Sequence, residues 1–188
     1  MMPAKDALRA LAQHRTNEIV LPTMTANQLW SELSSHELDL PTMGAMSKAS
    51  SLALGLALAR PERRVWIIDG DGSLLMNLGS LVTIANMAPA NLVHFVFNNG
   101  VYELSGRQPL PGARHIDFCG LAKSAGYRNA YHFDDLEDLH IRAAEVVACQ
   151  GPALVCLHVQ PGEGPRGEVV VRTAQALRRV KAVLEKSG

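Results

Sequence analysis

At 188 residues and 47% hydrophobic content, the chain is long enough to bury one core and short for two domains, so a single domain over residues 1–188 is expected. Its 18 basic and 18 acidic side chains cancel, which argues against the broad positive field that holds nucleic acid or an anionic membrane. No apolar run reaches the roughly 18 residues that span a bilayer, so a cytoplasmic protein acting on a small solute, or with another protein, is expected.

In chain order, "MMPAKDALRALAQH" reads as an amphipathic helix rather than a signal sequence, and the first 35 residues are expected to hold two helices and an "IVLP" strand. "MSKASSLALGLALARPERR" is small and apolar on nearly every face until Arg60, which predicts a buried helix ended by Pro61. "RVWIID" (64–69) predicts a strand. Leu74 to Met87 places Leu75, Leu78, Leu81, Val82 and Ile84 or Ala85 at helical spacing, and "NMAPAN" stops that helix. "NLVHFVFN" (91–98) predicts the next strand. "IDFCGLAKSAGY" and "DDLEDLHIRAAEVVAC" predict two helices, the second opened by Asp134 and Asp135 as cap and first-turn acids. "PALVCLHV" (152–159) predicts another strand, "QPGEGPRGE" (160–168) a loop, and "RTAQALRRVKAVLEK" a helix with Ala174, Leu177, Val180 and Leu184 on one stripe. Short β-branched runs separated by helix-length segments give the expected fold class: α/β, a three-layer doubly wound, mostly parallel sheet with helices on both faces. Cys119, Cys149 and Cys156 show no CxxC or Cys/His metal spacing, which fits reduced, buried thiols.

Two of these strands end in polar residues. In a doubly wound sheet, ligands sit beyond the carboxyl ends of adjacent strands. Gly70, Gly72 and Ser73 lead straight into a helix, where backbone N–H groups and the positive dipole end suit phosphate oxygens without a lysine. Asp71 would repel phosphate unless a cation lay between them, and Asn98 and Asn99 offer amide oxygens from the neighbouring strand. Carboxylate, amide, backbone carbonyl and phosphate oxygens together describe an octahedral hard-cation site best suited to magnesium. A GDG turn alone is also what a tight strand-to-helix connection carries. Its pairing with NN is the more specific signal.

"GDGS", 24 intervening residues (74–97) and "NN" resemble the diphosphate- and metal-binding motif of thiamine diphosphate enzymes. The resemblance implies Mg2+ held by Asp71, by the amide oxygen of Asn99 and by the backbone carbonyl of Val101, with Gly72 and Ser73 on the diphosphate and Tyr102 beside the cofactor. "MGAMS" (43–47) resembles the family segment that contributes Gly44, Ala45 and a bulky wedge, here Met46, which props the cofactor in a bent conformation. Residues 38–160 are most similar to the sulfopyruvate and phosphonopyruvate decarboxylases, which release CO2 from an anionic 2-oxo acid with thiamine diphosphate as electron sink. The family often has a glycine where Arg107 stands, and the Gly/Pro tail after Gln160 has no match. Family members also need a glutamate on the aminopyrimidine ring, supplied by a separate pyrimidine-binding domain. The chain thus resembles the β subunit of a split sulfopyruvate decarboxylase, which implies a pyrimidine-binding, α-type partner subunit.

Glu103, Arg107 and His115 are the remaining candidates for substrate contact. Arg107 could pair with a carboxylate or sulfonate but also reads as a solvated loop residue. Tyr102 and Glu103 would face either the reacting carbon or the partner, while His94 and His158 read as core or edge residues. A dinucleotide-binding oxidoreductase would share the topology, yet "GDGSLLMNLGS" lacks the third glycine at GxGxxG spacing and the next strand does not end in an acid. A carboligase of the acetolactate synthase kind, or a non-catalytic subunit that keeps the fold, stays open as an alternative.

Overall fold

The computed structural model describes residues 1–42, 44, 46–113, 115–162 and 173–186. Its elements follow in the order α1 (Ala4–Ala12), β1 (Ile19–Pro22), α2 (Met24–Ser31), α3 (Ala49–Ala59), β2 (Val65–Gly70), α4 (Asp71–Leu75), α5 (Ser80–Met87), β3 (Leu92–Asn98), β4 (Val101–Tyr102), β5 (Gln108–Pro109), α6 (Phe118–Ala125), β6 (Asn129–Phe133), α7 (Leu136–Ala148), β7 (Ala153–His158) and α8 (Thr173–Lys186). The strands form a five-stranded sheet of order β1-β2-β3-β7-β6, every neighbouring pair parallel.

The central strands are continuous apolar runs because both sheet faces are covered. Side chains alternate between two cores. Val65, Ile67, Leu92, Val96, Leu154 and Cys156 pack on one face with α3, α5, α6 and α8, while Trp66, Ile68, Val93, Phe95, Val155 and Leu157 pack on the other with α1, α2 and α7. Trp66 and Phe95 meet edge to face on that second face, their centroids 5.7 Å apart. The arrangement is the expected three-layer α/β fold, and it gathers the carboxyl ends of β1, β2, β3 and β7 along one edge.

Several local expectations are corrected. The helix expected over Leu74 to Met87 is two helices, broken by turns at Met76–Gly79. Asn77 sits in the break and its side-chain amide donates to the Ser47 carbonyl at 2.9 Å, an interaction that ties the interruption to the preceding loop. The second helix ends at Ala88, left-handed at φ 46°, just before Pro89. Helix α3 is not buried all round: Leu52 and Leu58 are exposed. In α8 the buried stripe is Ala176, Val180 and Leu184, with Ala174 and Leu177 facing solvent. That helix is held to the body where Arg60 donates to the Leu184 carbonyl at 2.6 Å and Arg179 to the Asp39 carbonyl at 2.6 Å. Asp135 alone caps α7, accepting from the Glu137 and Asp138 amides, whereas Asp134 stands outside the helix and contacts His132 and His158. Strand β6 and the antiparallel β4-β5 ribbon were not expected: both are short and partly exposed, so neither carries a buried apolar run. Of the loop expected over 160–168, residues 163–168 lie outside the described residues.

Candidate active site

Strand β2 ends at Gly70, and the chain turns at once into α4, which buries Asp71, Gly72 and Ser73. With five residues, α4 has little macrodipole, so the capacity of this turn for an anion rests on its open N–H groups rather than on a long helix. Asp71 is 2% exposed, and its carboxylate is held by backbone alone. Oδ1 accepts from the Gly72 amide at 2.7 Å, and Oδ2 accepts from the Asn99 and Gly100 amides at 2.9 and 2.7 Å. The two motifs separated by 24 residues therefore meet at one carboxylate.

Burial pushes the Asp71 carboxyl up to about 6; the three amides pull against that shift, and the nearby Glu103 carboxylate adds to it. A buried carboxylate beside a second carboxylate, with no cationic side chain among its hydrogen-bond partners, is an environment that a divalent cation would relieve. The donors available are hard oxygens: Asp71, the Asn99 side chain and the neighbouring backbone carbonyls. They fit Mg2+. Asn99 Oδ1 accepts from the Val101 amide at 3.0 Å, which fixes the loop that carries both residues.

A cavity of about 540 Å3 opens beside this turn, and Gly70, Asp71, Gly72, Ser73, Asn99 and Val101 line it. Met46 lines the same cavity, 25 residues before Asp71, on a loop fastened where Ser47, left-handed at φ 73°, donates its amide to Ser73 Oγ at 2.9 Å. Tyr102 lies over Gly72: a Cβ on that glycine would stand 2.5 Å from Tyr102 Cε1 and 3.0 Å from Leu110 Cδ2. Glycine is required there by close approach rather than by backbone angle. The cradle fits a diphosphate flanked by an apolar wedge. Glu103 also lines the cavity and accepts from the Gly162 amide, which lines it too.

Three expected residues stand apart. Gly44, Arg107 and His115 are exposed and are not among the residues lining the cavity; Arg107 sits in the β4-β5 turn with φ 59°. Ala45 lies outside the described residues. His94 is buried in the core as expected, but neither ring nitrogen has a hydrogen-bond partner, and Nε2 lies 3.5 Å from the buried Asp69 carboxylate.

The turn after β1 was missed. Thr23, Met24 and Thr25 line the cavity, with Met24 left-handed at φ 43° and Thr23 Oγ donating to Asp69 Oδ1 at 3.1 Å. The signal was present: "LPTMT" is a third polar strand end at the same edge, open to the argument applied to β2 and β3.

The model of the thiamine pyrophosphate enzyme C-terminal TPP binding domain matches residues 19–157. The chain belongs to that family. A phosphonopyruvate decarboxylase of Streptomyces viridochromogenes is 41% identical over 141 residues, covering 74% of this chain and 35% of that protein. A sulfopyruvate decarboxylase subunit beta of Methanothermobacter thermautotrophicus is 44% identical over 120 residues, covering 64% and 61%. A sulfopyruvate decarboxylase of Methanosarcina acetivorans is 31% identical over 186 residues, covering 98% of this chain and 48% of that protein. The chain thus spans between about a third and three-fifths of the length of these relatives. Among solved structures, a thiamine diphosphate-dependent 4-hydroxybenzoylformate decarboxylase of Rhodococcus jostii superposes with a TM-score of 0.72 at 20% identity, over 86% of this chain and 33% of that one, a likeness of fold. No helix among the described residues is long and apolar enough to cross a membrane.

Proposed function

We propose that this chain, as a single domain over 1–188, is the diphosphate- and Mg2+-binding part of a thiamine diphosphate-dependent 2-oxo acid decarboxylase whose substrate carries a second anionic group. The observation that carries the reading is the Asp71 carboxylate, buried, lining the cavity and gripped by amides from both motifs. Thiamine diphosphate, when bound, supplies the electron sink that lets a 2-oxo acid lose CO2. Asp71 and Asn99, with the Val101 carbonyl, would hold the cation; Gly72 and Ser73 would hold the diphosphate; Met46 would shape the apolar wall; and Tyr102, packed on Gly72, would line the cofactor. Glu103 lines the same cavity, where its carboxylate could carry or accept a proton.

Relatives named as a subunit beta support a second, pyrimidine-binding subunit that brings the activating glutamate. Glu32, which also lines the cavity, is paired with Lys5 at 2.5 Å. The identity to both kinds of relative favours sulfopyruvate or phosphonopyruvate as substrate, with sulfopyruvate the first reading because a chain of this length matches most of a named beta subunit.

Calorimetric titration with thiamine diphosphate tests the cofactor half-site, run with Mg2+, with EDTA and with Asp71→Ala, and repeated on a complex with the partner. Saturable binding that needs both the cation and Asp71 supports the reading. A complex that binds no cofactor, or binds it equally without Asp71, overturns it. CO2 release from sulfopyruvate against phosphonopyruvate by the complex then separates the substrates.

A further inference from the structure

The carboxyl ends of β6 and β7 carry a second group of ligands, built on strands that do not contribute Asp71. His132 lies on β6, Asp134 two residues later, and His158 ends β7. The register pairs His132 with Cys156 and Phe133 with Leu157, so the period of two turns His132, Asp134 and His158 to one face of the sheet. Asp134 sits between the two rings: His158 Nδ1 is 2.6 Å from Oδ1 and His132 Nε2 is 2.8 Å from Oδ2. The ring centroids are 6.3 Å apart. One potential ligand atom from each residue lies within 4.8 Å of the other two.

We propose that His132, Asp134 and His158 form a binding site for a divalent transition metal of the Zn2+, Co2+ or Ni2+ kind. Two borderline imidazole nitrogens beside one carboxylate oxygen make a mixed donor set that suits these ions and not Mg2+, whose preference is for oxygen alone. An ion about 2.0–2.2 Å from each donor needs the donors about 3–3.5 Å apart, so binding would exchange the two ring-to-carboxylate hydrogen bonds for metal bonds, starting from donors already within 4.8 Å of one another. Two of the three ligands stand on paired strands, so their backbone positions are already set and less ordering accompanies binding. All three side chains are partly open to solvent, which leaves the remaining coordination positions to water. An ion here would fix the end of β7, from which Val159 to Gly162 run on as a wall of the cavity. The site stands independently of the cofactor reading.

The full chain should be titrated with Co2+ in excess Mg2+ and followed by visible absorption, with Zn2+ added afterwards as competitor. Cys119 is the competing ligand to control, because a hydrogen bond with Cys156 pulls its thiol down to about 7 and His132 lies nearby. One equivalent of Co2+ should bind without a thiolate charge-transfer band, unchanged in Cys119→Ser and in the remote His14→Ala. Binding should weaken at least ~10-fold in His132→Ala, His158→Ala and Asp134→Ala, with far-UV circular dichroism unaltered because none of the three side chains is buried. His132→Gln provides a second substitution of similar size. Absence of saturable binding, retention in the three alanine variants, or dependence on Cys119 overturns the site.

Discussion

The Gly100 amide donates to Asp71 Oδ2 at 2.7 Å, joining the turn that follows β3 to the turn that follows β2. With the Asn99 and Gly72 amides, it makes one carboxylate the clasp between the ends of β2 and β3. Asp71→Ala leaves these amides without their acceptor, a loss of about 1–3 kcal/mol of stability by urea denaturation. Asp71→Asn keeps an acceptor oxygen and should lose less stability while still losing cation binding, so the two variants separate structure from function.

The same carboxylate makes the cofactor-free protein sensitive to pH. Its folded value, about 6, lies above the ordinary carboxylate value of 3.8, so the folded state binds the proton more tightly than the unfolded chain. The contribution is greatest in acid and falls as pH rises between about 4 and 6, by roughly 3 kcal/mol across that window. Other carboxylates act in the opposite sense. The check is therefore the difference between wild type and Asp71→Asn, which should slope downward from pH 4 to 6 and flatten above. A flat difference, or one that rises with pH, removes the buried-carboxylate account.

Much of this edge was legible in the sequence because its chemistry is local. GDGS and NN each follow an apolar run, and the fold needs only a parallel sheet to bring them together. The gaps have physical causes. Asn77 and Gly79 break a helix whose apolar spacing reads as continuous, because Asn77 is recruited by the Ser47 carbonyl, a tertiary partner that periodicity does not contain. Leu52 and Leu58 are as apolar as Ala53 and Leu54 but face outward, since a helix apolar on every side does not state which side the sheet covers. Arg107 suits a substrate anion as a bidentate partner and His115 suits a substrate contact, but side-chain chemistry does not state exposure: Arg107 stands in the β4-β5 turn, and both residues are exposed and outside the cavity lining.

Gly72 is held to its identity by Tyr102. Gly72→Ala should force the ring aside and reduce stability by about 1–3 kcal/mol, together with cofactor affinity. Removal of the obstructing ring in Gly72→Ala/Tyr102→Ala should cost less than the sum of the two single changes. A double-mutant cycle on urea midpoints reads that coupling directly. Additive costs would mean that the ring does not rest on the glycine.

Away from the cavity, Asp39 gathers a buried polar cluster. Its carboxylate is paired with Arg15 at 2.7 Å and accepts from Trp30 Nε1 at 2.9 Å, Ser34 Oγ at 2.6 Å and the His36 amide at 2.9 Å. Burial lowers the Arg15 guanidinium from its ordinary value, against the raising effect of Asp39. Asp39→Ala strands a buried guanidinium and should cost about 3–5 kcal/mol. Arg15→Leu/Asp39→Leu, which removes both charges, should cost markedly less. Thermal unfolding of the three proteins measures the contrast, and equal losses in the single and double variants would show that packing, not charge, dominates this cluster.

Glu103 adds the last test because it touches two parts of the site at once. Its carboxylate accepts from the Gly162 amide, and its charge contributes to the raised Asp71 carboxyl. Glu103→Gln keeps an acceptor for Gly162 while removing the charge, so the Asp71 midpoint should fall, followed by carboxyl-carbon NMR titration in the absence of cofactor. Mg2+ affinity near pH 6 should move in two directions: a more readily ionised Asp71 strengthens it, and loss of a neighbouring negative charge weakens it. The titration isolates the first effect. If the Asp71 midpoint stays fixed while the circular dichroism spectrum is unchanged, the coupling between these carboxylates is refuted, and burial set against the three amides fixes the Asp71 proton.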